Sequence, residues 1–426
     1  MPVQLSTEDR QMLNGRHGEA ASIAMSILER MADVYGATEL MDVTQAHIDG
    51  CALMSNSSLE FAERLAAGGG RVSIPTTTNM IPLDLQNWKR LGIPEEFAAK
   101  ATRLAKAYTD MGCVPTWTCA PYQGYLTPRF GQQIAWGESN AIAYANSVLG
   151  ARTNRYGDFL DICAAITGRV PKAGLHLKEN RKGQLLLRLV DIPLKLQEDE
   201  TFYVVLGYLA GNLVQDKIPV IEGLPTSATD DQLKALGAAA ASSGAVALFH
   251  AIGVTPEANT LDEAFQGGTP EHVMEIRPSD LKEAWKDLST TAEGEKLDVV
   301  ILGCPHFSFA EFQQLAQAIE DGSVHSRYPA CKVLVLTSQT SYGLLQRSDL
   351  MDRLIEFGVE IVLDTCMFHS PIIAPQMKVL MTNSGKCAYY APGHLGVQVA
   401  FGNLRDCIRS AKKGAVCREE SLWKEC

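Results

Sequence analysis

The sequence predicts an α/β protein whose sheets are mostly parallel. In the last third of the chain, short runs of Val, Ile and Leu alternate with segments that carry apolar residues at helical spacing. The strand-like runs lack the alternation of polar and apolar residues that a half-exposed sheet shows, so we expect helices on both faces of the sheet. A length of 426 residues exceeds what one ordinary hydrophobic core holds and predicts two or three domains.

The amino-terminal part of the chain is expected to be mostly helical. Apolar residues recur at helical spacing in several segments, which predicts helices over residues 19–35, 57–67, 94–111 and 138–149. Short strands are predicted between these helices, over residues 71–79 and 116–119.

Strands and helices alternate in the rest of the chain. Apolar stretches at residues 185–189, 202–214 and 238–252 predict a second α/β layer, with a strand over residues 245–250. The last third predicts strands over residues 297–303, 332–337, 359–364 and 378–382, and helices over residues 309–320, 343–357 and 404–412. We therefore expect three α/β domains, at residues 1–185, 186–285 and 286–426.

Composition excludes several classes of protein. The net charge is −11 and no block rich in Lys or Arg is present, so we expect no nucleic-acid partner. The longest apolar run, residues 202–211, is about half of what a membrane-spanning helix needs, so we expect no membrane association. We recognise no targeting segment at the amino terminus and expect a cytoplasmic protein. Eleven cysteines without a C-x-x-C spacing argue against a zinc ribbon.

Three cysteines occur where apolar strands are predicted to end, namely Cys119, Cys304 and Cys366. Ligands gather outside the carboxyl ends of strands in open α/β sheets. These thiolates are therefore candidates for holding one iron–sulfur cluster, with an iron left open for substrate. Cys113 is an alternative first ligand, although it follows a glycine at a helix end. The other interpretation of any of these cysteines is a small buried apolar residue.

A group of polar residues surrounds the helix predicted over residues 138–149. It consists of Glu138, Ser139, Asn146, Arg152 and Asn154. One interpretation is a site that recognises a carboxylate and a hydroxyl group, in which Arg152 binds the carboxylate through two parallel hydrogen bonds. The other is a capped helix whose polar side chains satisfy neighbouring backbone groups. The residue types leave both interpretations open.

Five further residues are candidates for the same site. Thr76 and Asn79 lie in the strand predicted over residues 71–79, and they either donate hydrogen bonds to an oxyanion or cap the next turn. Ser384 and Lys386 follow the strand predicted over residues 378–382, where the lysine is placed to contact a buried anion. His176 is either an acid–base group or a histidine satisfied in the core.

Several strings of residues together resemble the aconitase X family, specifically its large subunit. In chain order they are IPTTTN (74–79), TCAPY (118–122), AWGESN (135–140), NSVLGARTN (146–154), GLHLKENR (174–181), GCPH (303–306) and TNSGK (382–386). They run in order across almost the whole chain, and the string at 146–154 is long. The chain is therefore identified as similar to this family.

The resemblance implies an aconitase-like fold of three α/β domains around a central iron–sulfur site, held by Cys119, Cys304 and Cys366. It implies a hydro-lyase that dehydrates a hydroxylated carboxylate. Members of the family are dehydratases of cis-3-hydroxy-L-proline, giving Δ1-pyrroline-2-carboxylate, and in archaea of mevalonate 5-phosphate. Three cysteines do not distinguish a [2Fe-2S] from a [4Fe-4S] cluster. In the expected Lewis-acid elimination, Arg152, Lys386 and backbone donors stabilise the developing negative charge.

The chain departs from aconitase-like enzymes at one point. Such enzymes complete the site with a small swivelling domain that carries a catalytic serine as general base, and we recognise no such domain after residue 412. We therefore expect a heteromer, in which a separate small subunit supplies this serine and without which the chain is inactive.

Two alternatives to a hydroxyproline dehydratase remain. The first is the large subunit of a mevalonate 5-phosphate dehydratase, whose phosphate would need several basic residues or a glycine-rich nest, and Gly68–Arg71 is the obvious candidate. The second is a cluster-free or regulatory protein of the same fold. We favour hydroxyproline because the alternative interpretation of residues 68–71, a plain loop, is the simpler one.

Overall fold

The computed structural model describes residues 3–321 and 328–424. Contacts divide the chain into two compact units. Unit 1 comprises the residues up to Lys182 together with the segment Asp364–Ser370. Unit 2 comprises Gly183–Leu363 and Pro371–Cys426.

Unit 1 combines helices with short strands. In chain order its elements are α1 (Thr7–Leu13), α2 (Glu19–Val34), β1 (Leu40–Asp42), β2 (Ala46–Ile48), α3 (Asn56–Ala67), β3 (Thr76–Thr78), α4 (Glu95–Asp110), β4 (Ala135–Trp136), α5 (Ser139–Ser147), α6 (Leu160–Thr167) and β5 (Arg169–Pro171). Within the described residues, β2 pairs in parallel with both β3 and β4, and β1 pairs antiparallel with β5. Two short 3-10 helices, Gly174–His176 and Lys178–Arg181, follow β5.

The helices of unit 1 each bury one apolar stripe. Ala24 and Leu28 lie one turn apart on α2, and both are buried in a core that includes Leu104 of α4 and Ile162 of α6. Ile48, at the end of β2, belongs to the same core. This packing holds the carboxyl end of the small parallel sheet in place.

Unit 2 alternates strands and helices. Its elements are β6 (Leu185–Leu189), α7 (Leu194–Gln197), α8 (Glu200–Val214), β7 (Pro219–Glu222), α9 (Asp230–Ser243), β8 (His250–Ala251), α10 (Leu261–Ala264), β9 (His272–Ile276), α11 (Pro278–Asp287), β10 (Val299–Phe307), α12 (Phe309–Glu320), β11 (Lys332–Thr337), α13 (Gln339–Leu345), α14 (Leu350–Phe357), β12 (Val359–Leu363), β13 (Val379–Thr382), α15 (Gly385–Leu395), β14 (Gln398–Phe401), α16 (Leu404–Lys413) and α17 (Ser421–Lys424).

The described strands of unit 2 form two sheets in which every pairing is parallel. The strand orders are β8-β7-β6-β9 and β12-β11-β10-β13-β14. Val299–Leu302 in β10 and Val333–Leu336 in β11 are buried without alternation, as expected for strands covered on both faces. The predicted α/β class with mostly parallel sheets is thus confirmed.

Two predicted elements of unit 2 have different bounds. The helix predicted over residues 343–357 is two helices, because Ser348 and Asp349 interrupt it before Leu350. Of the strand predicted over residues 245–250, only His250 lies in a strand, which is β8. Val246 and Phe249 are buried in the core, so the apolar run reflects burial rather than strand pairing.

The strand predicted to end at Cys119 does not form. Val114 makes an isolated bridge to Thr77, and Trp117 has a φ of 41°, which interrupts strand geometry. The side chain of Thr116 continues the pairing instead, since its Oγ1 donates to Thr78 O at 2.8 Å. Cys119 therefore follows an extended segment tied to β3 rather than a regular strand.

Cys304 lies inside a strand, not after one. β10 was predicted to end at residue 303, but it continues to Phe307. Its pairing with β11 shifts register between Leu302 and Phe307, and Gly303 has a φ of 89° that favours glycine. Cys304 thus occupies an irregularity in the carboxyl half of the strand.

Cys366 follows the end of β12, as predicted. Its segment Asp364–Ser370 nevertheless belongs to unit 1, where Ile81 N donates to Asp364 O at 2.8 Å. The predicted domain at residues 286–426 contained both Cys304 and Cys366, whereas contacts assign Cys304 to unit 2 and Cys366 to unit 1.

Within residues 3–321 and 328–424, no helix combines the length and apolarity required to cross a bilayer.

Close packing of α8 on α9 is expected to depend on Gly207. A methyl group at this position would meet the backbone of Leu236 on α9. We expect Gly207→Ala to lower the free energy of unfolding by about 1–3 kcal/mol, because the helices must separate. Thermal unfolding followed by circular dichroism measures the change.

Gly343→Ala in α13 is the matched control for this substitution. Nothing lies within 4 Å of a Cβ added there, so the change is expected to be neutral or to stabilise by up to about 1 kcal/mol. Equal melting temperatures for the two variants would contradict the close approach of α8 to α9.

Candidate functional site

The carboxyl edge of the small parallel sheet in unit 1 carries three polar side chains. Asp49 follows β2, Asn79 follows β3 and Glu138 lies just beyond β4. The carboxyl ends of parallel strands meet at one edge, which brings these side chains together. Asn79 Nδ2 donates to Asp49 Oδ1 and to Glu138 Oε2, the latter at 3.2 Å. Two predicted site residues therefore share a cluster with one carboxylate that was not predicted.

A glycine makes the room for this cluster. A Cβ on Gly137 would lie 2.6 Å from Asp161 Oδ2 and 2.6 Å from Asp49 Cβ. The backbone N–H of Asp49 donates to the carboxylate of Asp161, and Gly137 N donates to His47 O at 3.0 Å. Only a residue without a side chain fits between these acids.

Burial and mutual repulsion raise the pKa values of these acids. Burial raises the pKa of Asp49 well above its usual value, and the charges of Glu138, Asp158 and Asp161 raise it further, while the hydrogen bond from Asn79 opposes the shift. Burial raises the pKa of Asp161 to about 7. Burial and the charge of Glu138 also raise the pKa of Asp158. The cluster therefore keeps protons at pH values where an exposed carboxyl group is ionised.

Glu138 caps α5 and connects the acids to Cys119. Its Oε1 accepts hydrogen bonds from Asn140 N at 3.1 Å, Asn140 Nδ2 at 2.8 Å and Ser139 Oγ at 3.2 Å. Asn140 Nδ2 also donates to Cys119 O at 3.1 Å. The structure thus brings the predicted residues Glu138, Ser139 and Cys119 together, with Asn140 between them.

Asn146 and Asn154 satisfy backbone groups within unit 1. Asn146 Nδ2 donates to Thr153 O at 2.9 Å, and its Oδ1 accepts from Thr153 N at 3.0 Å. Asn154 Nδ2 donates to Ala173 O at 3.1 Å, and its Oδ1 accepts from Leu175 N at 2.7 Å. These contacts support the structural interpretation that the sequence left open for both residues.

His176 is buried in the same region with both ring nitrogens engaged. Nδ1 lies 2.7 Å from Gln133 Oε1, and Nε2 contacts the hydroxyl of Tyr156. Burial, together with the charges of Arg181 and Arg152, lowers the pKa of His176 to about 3. This environment favours a neutral structural histidine over the predicted acid–base group.

Arg152 differs from these residues because it is only partly buried as a residue. Its Nε is enclosed and makes no hydrogen bond to any described residue. Its backbone pairs with Gln133 in an isolated bridge, which fixes the base of the side chain. That Arg152 binds a carboxylate stays a prediction.

Thr76 contributes a hydroxyl group to local structure. Its Oγ1 donates to Ile74 O at 2.8 Å, and the residue is buried. This contact supports the capping interpretation over the predicted oxyanion contact. The neighbouring Thr77 instead contacts His47 Nδ1 at 2.8 Å.

Unit 2 brings three other predicted residues to one cavity. Cys304, Ser384 and Lys386 line a cavity of about 440 Å³. Ser384 caps α15 by accepting from Cys387 N at 3.0 Å, and its Oγ donates to Cys304 O. Lys386 occupies the first turn of α15, where the helix dipole favours anions.

Acids predominate in the lining of this cavity. They are Glu198, Asp199, Glu200, Asp231 and Glu311, against the bases Lys234, Lys386 and Arg405. Lys234 is paired with Asp231 at 2.8 Å and with Glu311. Burial raises the pKa of Glu200 to about 7, and the charge of Asp199 adds to the shift. The cavity therefore suits a ligand that carries a positive group besides any negative one.

The cysteines divide into core thiols and candidate ligands. Burial raises the pKa of Cys51, Cys163 and Cys407, and it raises that of Cys113 to about 12. Cys113 lies in the apolar core of unit 1, so its environment disfavours the thiolate that a metal needs. Cys119 is buried with 7% exposure, and Cys304 and Cys366 are partly exposed.

The donor set formed by Cys119, Cys304 and Cys366 fits a soft metal centre in its chemistry. In the two described ranges of the chain, no group of three or more His, Cys, Asp or Glu side chains is close enough to hold a single metal ion. A cluster of several irons spaces its thiolates more widely than one ion does. That these three cysteines bind one cluster stays a prediction.

The sequence reasoning missed His47, Asp49, Asp158 and Asp161. β2 spans only Ala46–Ile48, so it gives too little pattern to be recognised as a strand. The available signal was a buried-type Ile followed by an Asp-Gly pair at Asp49 and Gly50, which is typical of a strand end.

Comparison with known proteins gives one consistent result. Family models for the first, second and third domains of aconitase X match residues 2–179, 183–286 and 297–413. The cis-3-hydroxy-L-proline dehydratase of Pseudomonas aeruginosa is 44% identical over 414 residues, which cover 96% of this chain and 70% of that protein. The phosphomevalonate dehydratase large subunit of Methanothermobacter thermautotrophicus is 36% identical over 414 residues, covering 96% of this chain and 98% of that protein.

A solved structure supports the same assignment. The crystal structure of Thermococcus kodakaraensis aconitase X in its holo-form matches with a TM-score of 0.86 and 30% sequence identity. The match covers 96% of this chain and all of that one. The resemblance noted in the sequence is therefore confirmed.

The raised pKa of Asp161 is expected to make stability depend on pH. The folded state holds this proton up to about pH 7, whereas an unfolded Asp releases it near pH 4. The folded state therefore binds more protons in this window, and its stability falls as the pH rises from about 4 to 7. Asp161→Asn removes this dependence. The difference in melting temperature, variant minus wild type, should therefore be larger at pH 8 than at pH 5.

The control for this prediction is Asp33→Asn, which changes an exposed carboxyl group near the end of α2. Its melting temperature relative to wild type should be the same at both pH values. An equal pH trend in the two variants would contradict a protonated Asp161 in the folded state.

Proposed function

The chain belongs to the aconitase X family, and we propose that it acts in the dehydration of cis-3-hydroxy-L-proline to Δ1-pyrroline-2-carboxylate. Relatives across the family are named dehydratases, so the enzyme class is hydro-lyase. The observation that carries the substrate is the greater identity to the cis-3-hydroxy-L-proline dehydratase of Pseudomonas aeruginosa than to the phosphomevalonate dehydratase large subunit.

The glycine-rich segment supports an unphosphorylated substrate. Gly68 N, Gly69 N and Gly70 N donate to the carbonyl groups of Arg64, Ala66 and Leu65, at 2.9, 3.1 and 2.9 Å. These amides end α3 and are therefore not available to a phosphate. The predicted alternative of a phosphate-binding nest at residues 68–71 thus loses three of its backbone donors.

The charge of the cavity in unit 2 supports an amino-acid substrate. A proline derivative is a zwitterion, whose ring ammonium suits the carboxyl groups of Glu198 and Asp199 in the cavity lining. Lys386 on the first turn of α15 offers an ammonium group to its carboxylate. A phosphate dianion would meet repulsion from the same acids.

We propose an iron–sulfur cluster bound by Cys119, Cys304 and Cys366 as the cofactor. Cys304 and Cys366 are partly exposed whereas the thiol of Cys113 lies in the apolar core of unit 1, which supports the choice. When bound, such a cluster supplies Lewis-acid chemistry that activates an oxygen atom of the substrate. The chain's own contribution is to orient the substrate and control its protons. Arg152 offers a guanidinium group to a carboxylate, and the Asn79–Glu138 pair fixes the polar edge of the sheet.

We propose a separate small subunit that carries a catalytic serine as general base. The archaeal relative is named a large subunit, which implies such a partner for that protein. We also propose the cytoplasm as the compartment, because its reducing conditions keep the candidate thiols available for a metal.

The cluster is tested by iron and acid-labile sulfide analysis after anaerobic purification. Wild type is expected to hold near-stoichiometric cluster, and Cys119→Ser, Cys304→Ser and Cys366→Ser are each expected to lose it because a ligand thiolate is missing. Cys113→Ser is the matched control and should retain the cluster. Loss in Cys113→Ser with retention in Cys119→Ser would reverse the assignment, and a wild type without iron after reconstitution would refute it.

The substrate is tested with the same preparations and a candidate small subunit. Turnover of cis-3-hydroxy-L-proline, without turnover of mevalonate 5-phosphate, is the expected result. The second candidate function, a phosphomevalonate dehydratase large subunit, is favoured by the 36% identity to that archaeal protein. Turnover of mevalonate 5-phosphate alone would establish it instead.

A further inference from the structure

We propose that Asp49 is the general acid of this dehydration, giving its proton to the hydroxyl group that leaves the substrate, with Glu138 as its ionised partner. The inference rests on the proposed function and adds a proton donor that the serine base does not supply. It is carried by the arrangement of acids and amides at the carboxyl edge of the sheet β3-β2-β4.

One amide group joins the two carboxyl groups. Asn79 Nδ2 donates to Asp49 Oδ1 and to Glu138 Oε2. Asn79 is fully buried, and its own Oδ1 makes no hydrogen bond to any described residue. Two carboxyl groups held at one donor repel each other when both are ionised, so the pair favours a state with one shared proton.

The hydrogen bonds decide which member keeps the proton. Glu138 Oε1 accepts from Asn140 N, Asn140 Nδ2 and Ser139 Oγ, and these three donors favour its ionised form. Among the described residues, only Asn79 donates a hydrogen bond to the side chain of Asp49. Asp49 is therefore the protonated member.

The groups around Asp49 come from every element at this edge and are acidic. Asp161 accepts from the backbone N–H of Asp49, and Asp158 precedes α6. The thiol of Cys51 lies on the same loop and is also buried. Burial and the charges of Glu138, Asp158 and Asp161 all raise the pKa of Asp49, which agrees with the hydrogen-bond argument.

Exposure distinguishes Asp49 from its neighbours. Glu138 is 4% exposed and Asp161 is fully buried, whereas Asp49 is only partly buried. A proton donor must reach its acceptor within hydrogen-bond distance. Asp49 thus combines a raised pKa with partial exposure of the residue, and it lies two hydrogen-bonded residues away from Asn140, which contacts Cys119 O.

The proposed step balances in atoms and charge. The base removes the proton from C2, and the electron pair of that C–H bond forms the C2=C3 double bond. The C3–O bond breaks, its electron pair stays on oxygen, and the proton of Asp49 completes a water molecule. Asp49 is left as a carboxylate and regains its proton from solvent, while the enamine product tautomerises to Δ1-pyrroline-2-carboxylate.

The test combines turnover with a direct titration of the carboxyl group. Asp49→Asn is expected to lower kcat on cis-3-hydroxy-L-proline by about 10²–10⁴-fold with little change in KM, because general acid catalysis contributes that much. In wild type, kcat should fall on the alkaline side as Asp49 loses its proton. Infrared difference spectroscopy of the unliganded chain should show protonated carboxyl absorption near neutral pH, and Asp49→Asn should remove one component of it while the component of Asp161 remains.

Glu138→Gln provides a second variant that keeps Asp49. Removing the charge of Glu138 should lower the pKa of Asp49, so the infrared titration shifts toward lower pH. This readout decides the case even if Asp49→Asn unfolds. Asp110→Asn, an exposed carboxyl group at the end of α4, is the matched control and should leave both kcat and the band unchanged.

The outcomes separate this inference from the proposed function. If the wild type is inactive but the carboxyl component of Asp49 titrates as expected, the substrate assignment is refuted, whereas the protonation of Asp49 still holds. An active wild type with unchanged kcat in Asp49→Asn would overturn the inference and keep the dehydratase. Protonated carboxyl absorption in Asp49→Asn equal to that of wild type would also overturn it.

Discussion

The close approach permitted by Gly137 is the constraint on which the polar edge of unit 1 depends. Asp49 and Asp161 approach the glycine so closely that a side chain there would occupy their space. Because β2, β3 and β4 are parallel, the residues that follow them meet at one edge. The glycine therefore converts a short sheet into a compact cluster of acids around Asn79.

Buried polar groups in unit 1 serve two different purposes. Around Arg181 and Asn146, side chains satisfy carbonyl and N–H groups of irregular backbone, which would otherwise be buried without partners. Around Asp49 and Glu138, carboxyl groups crowd together and raise one another's pKa. The first arrangement stabilises a loop, whereas the second is unfavourable for stability and is typical of sites that move protons.

The same contrast separates the cysteines. A thiol in an apolar core is held in its neutral form, as the raised pKa of Cys113 indicates. Cys304 lies at an irregularity of β10 and lines a cavity, and Cys119 lies beside the hydrogen-bonded Asn140. The irregular backbone around these two residues turns them away from regular sheet pairing, which is a common feature of residues at functional sites.

The sequence by itself determined the α/β class, the parallel sheets, most helix bounds and the family, because unbroken apolar strands and helical spacing depend on local residues alone. It also identified Asn79 and Cys119 as polar or reactive residues at strand ends, and Glu138 as a polar residue at the start of a helix. Only the tertiary structure decided which of them act together. The ring of His176 contacts the side chains of Gln133 and Tyr156, Asn154 bonds the backbone of Ala173, and Asp49 joins Glu138 through Asn79. The reason is physical: hydrogen-bond partners and burial depend on residues far apart in the chain, and a one-dimensional pattern contains neither.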